Sequence, residues 1–288
     1  MSSIERWWQD GAQVELALNG SERHCFVRRF RSAAPHMTLL HGFPSSSHDW
    51  AKVAPALAER YELLVPDFLG FGASDKPPDH AYSIAEQADM IEALWEIEGV
   101  SETHVVAHDY AVSVVQELLA RRAEGTLSPQ IERVHLLNGG LFPDLHRPEP
   151  AQTALLDPEQ GPQLSANLNE ELIVQALKPT FAPGYDATND SEQIWRSLRR
   201  DDGYRNLYLL IRYMTDRKHN AARWVGALEG TDVPLAFVWG MLDPVSGAHM
   251  AERITERLPG APFTALSDVG HWPMLEAPRR VMSAILSS

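Results

Sequence analysis

Cysteine is nearly absent. Cys25 is the single one among 288 residues, so no disulfide can close within the chain, and a reducing cytoplasm is the expected compartment. Positive charge is also scarce. The 25 Lys and Arg face 39 Asp and Glu, a formal net charge of −14, which argues against nucleic acid or an anionic membrane surface as a partner. No apolar run approaches the roughly eighteen residues of a membrane span. The opening Met1-Ser2-Ser3-Ile4-Glu5-Arg6-Trp7-Trp8 lacks the apolar stretch of a signal peptide. His and Cys do not cluster at metal-ligand spacing, so neither metal nor cofactor is expected. There is no internal repeat and no low-complexity segment.

What is present alternates. Strand-like and helix-like segments follow one another, which predicts a mostly parallel sheet covered on both faces. Gln13–Leu18 and His24–Phe30 read as an antiparallel pair joined at Asn19-Gly20. Met37–Leu40, Tyr61–Pro66, His104–Ala107 and Ile131–Leu137 read as strands. Asp49–Arg60, Ser83–Glu98 (capped by Ser83) and Ala111–Glu124 read as helices. From about Leu141 to Gly230 the pattern turns helical or irregular, with Pro-rich punctuation and helical spacing over Glu170–Leu177, Ser191–Arg199 and Tyr204–Thr215. Alternation resumes at Leu235–Trp239, Ala248–Leu258, Pro262–Ala265 and Arg279–Leu286. A core over 1–140 and 231–288, interrupted by a helical cap over 141–230 after the sixth strand, is the domain organisation this predicts.

A serine is missing where a strand, a sharp turn and a helix meet. Thr103 to Ser113 has the form of a nucleophile elbow, usually G-x-S-x-G, but its central residue is Asp109, between Ala107 and Ala111. A carboxylate nucleophile displaces a leaving group at saturated carbon and becomes an ester itself, which suits epoxides and alkyl halides. A base and a residue to orient it must follow. Asp243, just past Leu235–Trp239, and His271, in Asp268-Val269-Gly270-His271-Trp272-Pro273, complete the order nucleophile, acid, histidine at carboxyl ends of strands. His41 is expected to shape the loop His41-Gly42-Phe43-Pro44, and His108 to point away from the Asp109 side chain. Glu132 and Asp144 are poorer acids than Asp243, and Asn138 reads as a loop residue. The amides of Phe43 and Tyr110 are the candidate oxyanion donors. The glycine-bearing stretch Asp67–Pro77 reads as architecture. Ser113, a turn into the helix, and Ser45–Ser47, in a loop, are poor nucleophiles, which argues against an ordinary serine esterase.

Together Leu40–Pro44, Asp67–Pro77, His108-Asp109-Tyr110 and Leu242–Val245 resemble the α/β-hydrolase superfamily, in its epoxide hydrolase and haloalkane dehalogenase branch. The resemblance implies a mostly parallel eight-stranded sheet flanked by helices, with a helical cap. Asn138–Pro143, His146-Arg147-Pro148 and Arg223–Leu228 are similar to segments of the mesoderm-specific transcript subfamily. Dehalogenases of the branch hold the departing halide with Trp or Asn N–H groups; here those positions are Tyr110 and Phe43, leaving Trp195 or Trp224 as substitutes. Epoxide hydrolases use cap tyrosines as proton donors. Tyr213 is the first candidate, with Tyr185 or Tyr208 as a second, and Tyr204, Tyr208 and Tyr213 are placed in one helix. An apolar pocket is expected from Phe142, Leu145, Phe181, Trp195, Tyr208 and Met214. The expected reaction is hydrolysis of a small apolar epoxide to a diol; haloalkane dehalogenation and an idle, ligand-binding hydrolase fold are the alternatives.

Overall fold

Leu235–Gly240 is buried at every position and Glu102–His108 at its last four, the unalternating pattern of strands covered on both faces. Ala12–Leu18 buries only Val14, Leu16 and Leu18, the period-two pattern of a strand with one wet face. In a computed structural model describing residues 3–287, these segments belong to one eight-stranded sheet. Met1 and Ser2, part of the opening segment read above, lie outside the described residues. The strands are β1 (Ala12–Leu18), β2 (Ser21–Phe30), β3 (His36–Leu40), β4 (Glu62–Pro66), β5 (Glu102–His108), β6 (Gln130–Leu137), β7 (Leu235–Gly240) and β8 (Phe263–Leu266). Their spatial order is β1-β2-β4-β3-β5-β6-β7-β8. β2 is antiparallel to β1 and β4, and every pair from β4 to β8 is parallel. The hairpin expected at Asn19-Gly20 is there, with φ of 49° and 76°, two positive values as a type I′ turn requires.

The helix Ile84–Glu98 starts as its sequence indicates, Ser83 Oγ accepting the Glu86 amide at 3.2 Å and relieving one of the unpaired first-turn donors. Two expected helices differ. Asp49–Arg60 divides into a 3₁₀ turn, Ser47–Lys52, and the short helix Ala54–Leu57, because Pro55 has no N–H to continue a ladder begun before it. Tyr204–Thr215 also divides, into a 3₁₀ segment Arg200–Asn206 and helices Leu207–Leu210 and Tyr213–His219. The amides of Arg212 and Met214 bond three residues back, to Leu209 and Ile211, and this tightening ends one helix and starts another. Tyr204, Tyr208 and Tyr213 therefore do not share a helix.

Between β6 and β7 the described residues form helices, 3₁₀ turns and loops, from Pro150–Leu156 to Ala221–Gly230, and no strand. Among the described residues, no helix is long and apolar enough to cross a membrane. The carboxyl ends of β3, β5, β7 and β8 open toward one edge of the sheet, where the candidate chemistry gathers.

Candidate active site

Asp109 follows β5 directly and precedes the helix Tyr110–Ala123, with φ 46° and ψ −100°. Such a conformation is strained for any residue with a Cβ and persists only where neighbours hold it. They do. The Asp109 amide donates to the carbonyls of Leu137 and Asn138, at 3.2 and 2.9 Å. Two glycines make room for the turn: a Cβ on Gly42 would stand 3.0 Å from that of Asp109, and one on Gly139 2.9 Å from the Asp109 carbonyl oxygen. The residue is 3% exposed. Its two oxygens have different surroundings. Oδ2 accepts the Phe43 amide at 3.0 Å, while Oδ1 lies 4.0 Å from His271 Nε2.

His271 Nδ1–H donates to Asp243 Oδ2 at 2.8 Å, which aims Nε2 toward Asp109. Asp243 Oδ2 also accepts Ser246 Oγ at 2.7 Å and Asn138 Nδ2 at 2.9 Å, and its Oδ1 accepts the Val245 amide at 2.7 Å. Burial alone would raise the Asp243 carboxyl; the His271 charge and these hydrogen bonds outweigh it and hold the group well below the usual range. Burial likewise works against a charged His271, but Asp243, by charge and hydrogen bond, and then Asp109 overcome it and raise the imidazole to about 9. The folded imidazole thus holds its proton more tightly than one at the ordinary 6.5. Its contribution to stability is complete below that value and is lost as pH rises toward 9, on the order of 3 kcal/mol in all. Urea unfolding of the native protein is expected to show falling stability between pH 6.5 and 9, and His271→Gln a much flatter profile over the same window. Parallel profiles would place the proton elsewhere.

Two other histidines near the site hold backbone. His41 Nδ1 bonds the Gly42 carbonyl at 2.9 Å and its Nε2 accepts the Phe68 amide at 3.1 Å, so it shapes the loop after β3. His108 Nε2 donates to the His271 carbonyl at 2.8 Å; burial, and next the neighbouring His271, push its pKa down to about 3. The stretch after β4 is built round Asp67, which accepts the Ser47 and Ala73 amides, each at 2.7 Å.

Tyr213, 1% exposed, opens its own helix and packs edge-on against Tyr110, with centroids 5.0 Å apart, and tilted against Phe43 at 5.8 Å. Its Oη makes no hydrogen bond of ordinary geometry. Burial, with the nearby Asp109 charge, keeps the phenol protonated, against the opposing pull of Arg217. Tyr185 is not free as a second donor: its hydroxyl donates to Asp190 at 2.6 Å. Tyr208 is bonded through its amide to Ser165 Oγ at 3.0 Å, with Arg212 over its ring.

A cavity of about 80 Å³ reaches His271 and is lined by Phe43, Leu155, Ile173, Leu207, Val245 and Trp272, among others. The residues expected to line it stand elsewhere. Trp195 lies with Trp8, Arg200 and Tyr204 on a separate surface cleft, off the positions Ser191, Ile194 and Leu198 that its helix buries. Phe181 stacks on Tyr185 and Trp272, behind the cavity wall. Phe142 and Met214 are buried in the core, Phe142 under the Arg253 guanidinium, and neither these two nor Tyr208 lines the cavity. The Trp224 indole N–H donates to Glu117 at 2.8 Å and so is not free for a halide.

Two residues not assigned a role from sequence belong here. Asn138 spans β6 and β7, donating to the Gly240 carbonyl and to Asp243, each at 2.9 Å, and accepting the Gly240 amide at 2.6 Å. Arg217, 1% exposed, donates from Nη2 to the Asp109 carbonyl at 2.8 Å and from Nε to Ser113 Oγ at 2.6 Å.

A family model described as alpha/beta hydrolase fold matches residues 35–278, and the chain belongs to that family. Among its relatives, the LipZ protein of Mycobacterium tuberculosis is 36% identical over 98% of this chain and 96% of its own. The human mesoderm-specific transcript homolog protein is 38% identical over 87% of this chain and 77% of its own, in keeping with the subfamily segments noted in the sequence. In three dimensions the chain is similar to the haloalkane dehalogenase DbeA of Bradyrhizobium elkani, with a TM-score of 0.79 and 21% identity over 96% of each chain. That likeness shows the fold.

Proposed function

We propose that this hydrolase opens epoxides to vicinal diols through an ester of Asp109. The observation that carries the reading is the unequal setting of the two Asp109 oxygens. Oδ2 already sits on the Phe43 amide, where the carbonyl oxygen of an ester would meet an oxyanion donor, and the Tyr110 amide, first of its helix, is the second donor. Oδ1 is left for attack, with a gap of 4.0 Å to His271 Nε2. That spacing is too long for a base hydrogen-bonded to its nucleophile, and it suits a base that acts on water instead.

Asp109 Oδ1 attacks a ring carbon and Tyr213 protonates the departing oxygen. His271, oriented by Asp243, then takes a proton from water, which adds to the Asp109 carbonyl carbon while the two amides hold the oxyanion. The helices between β6 and β7 act as the cap that keeps bulk water out. A phenol is favoured over a halide clamp because the Tyr213 hydroxyl is buried near Asp109 and makes no hydrogen bond of ordinary geometry, whereas the Trp224 indole is taken by Glu117. Incubation with 1,2-epoxyhexane is expected to yield the diol, and with 1-bromohexane little bromide. Tyr213→Phe should slow diol formation about 100-fold. Bromide released faster than diol would overturn the assignment in favour of dehalogenation.

A further inference from the structure

The proposed reaction leaves unused a buried cation beside Asp109, Arg217. Arg217 stands one turn after Tyr213 on the helix Tyr213–His219, so the two side chains share a face, and its guanidinium carbon lies 4.5 Å from the Tyr213 ring centroid. On its other side Nη2 holds the Asp109 carbonyl at 2.8 Å and comes within 3.9 Å of Asp109 Oδ1. Nη1 and Tyr213 Oη make no hydrogen bond of ordinary geometry, and the guanidinium pulls against the phenol's proton. His146, close to the guanidinium, supplies no compensating charge: burial and then Arg217 push its pKa down to about 3. A guanidinium taken out of water is costly unless an anion answers it, and the carboxylate within reach is that of Asp109.

We propose that Arg217 is the counter-ion that stays in place while negative charge passes from Asp109 to Tyr213 during ring opening. This rests on the epoxide reading. Asp109 Oδ1 forms a bond to the ring carbon; the ring C–O bond breaks and its electron pair stays on the ring oxygen. Tyr213 Oη gives its proton to that oxygen and becomes a phenolate. The charge has then left one side of the guanidinium and appeared on the other, so the cation faces an anion throughout ring opening. His271 returns a proton to the phenolate and is left neutral, ready to accept one from water; after hydrolysis Asp109 is again a carboxylate and His271 again protonated.

The test measures ester formation alone, by intact mass, in a His271→Gln background exposed to 1,2-epoxyhexane. Adding Arg217→Met is expected to slow the mass gain about 100-fold and Arg217→Lys about 10-fold, because an ammonium cannot both hold the Asp109 carbonyl and lie over the ring. Tyr213→Phe combined with Arg217→Met should be no slower than the worse of the two, since both remove the same transfer. A merely structural Arg217 would lower the yield of folded protein while leaving the rate per folded molecule unchanged. Equal rates with and without Arg217 overturn the counter-ion and leave the ester standing. No adduct even with Arg217 intact overturns the ester and the counter-ion with it. Should Arg217→Met fail to fold, an unslowed Arg217→Lys is enough to sink the proposal.

Discussion

Asp109→Ala is expected to reduce kcat for 1,2-epoxyhexane by at least about 10⁴-fold, the scale on which removal of a covalent nucleophile is felt. Alanine leaves the Phe43 amide, the imidazole and the cavity in place but offers no atom to form the ester. The buried partners also lose their anion: Arg217, 3.9 Å away, and His271, whose proton Asp109 helps to hold. Some loss of stability should therefore accompany the loss of activity, and a midpoint from thermal unfolding separates the two. Retention of more than about 1% of the wild-type rate per folded molecule would remove Asp109 from the reaction.

His271→Gln should leave the first step running and stop the second. Glutamine cannot take a proton from water, so the ester accumulates, and steady-state turnover should fall about 10³-fold or more after a single stoichiometric burst. The mass gained then reads the chemistry directly: a whole epoxide for ring opening, an alkyl group for displacement of a halide. In the proposed scheme the wild-type site also orders the steps. With Asp109 as carboxylate, His271 is raised to about 9 and sits protonated at neutral pH. Ester formation removes one of the charges responsible, so the imidazole pKa falls and the base becomes available when it is needed. Continued diol production by His271→Gln without any adduct would contradict this order.

The strand-borne half of the candidate site was legible along the chain as a set of residues that would meet. Asp109, Asp243, His271 and the Phe43 loop each follow a strand by a few residues, so reading where a buried run ends also reads where its chemistry begins. The three-dimensional gathering of the four at one sheet edge follows from parallel strands. The helical segment was less legible. Arg217 stands in Thr215-Asp216-Arg217-Lys218, where nothing distinguishes the one buried cation from a solvated neighbour; docking against the elbow decides it. Large aromatics were the expected pocket wall, yet Leu155, Ile173, Leu207 and Val245 line the cavity while Trp195 faces a different cleft. Helical spacing finds an apolar stripe but not what the stripe is turned toward. The break before Tyr213 was hidden for the same reason, since residues 211–212 carry neither Gly nor Pro to announce it.

The helices between β6 and β7 hold the backbone of the site at two points: Arg217 grips the Asp109 carbonyl at 2.8 Å, and the Thr180 carbonyl accepts the His271 amide at 2.7 Å. They are consequently a poor unit for recombination. A chimaera that kept this sheet and borrowed another relative's helices would import a new pocket, but it would also unfasten the backbones of Asp109 and His271 together, so changes of substrate range in this scaffold are better sought one lining residue at a time.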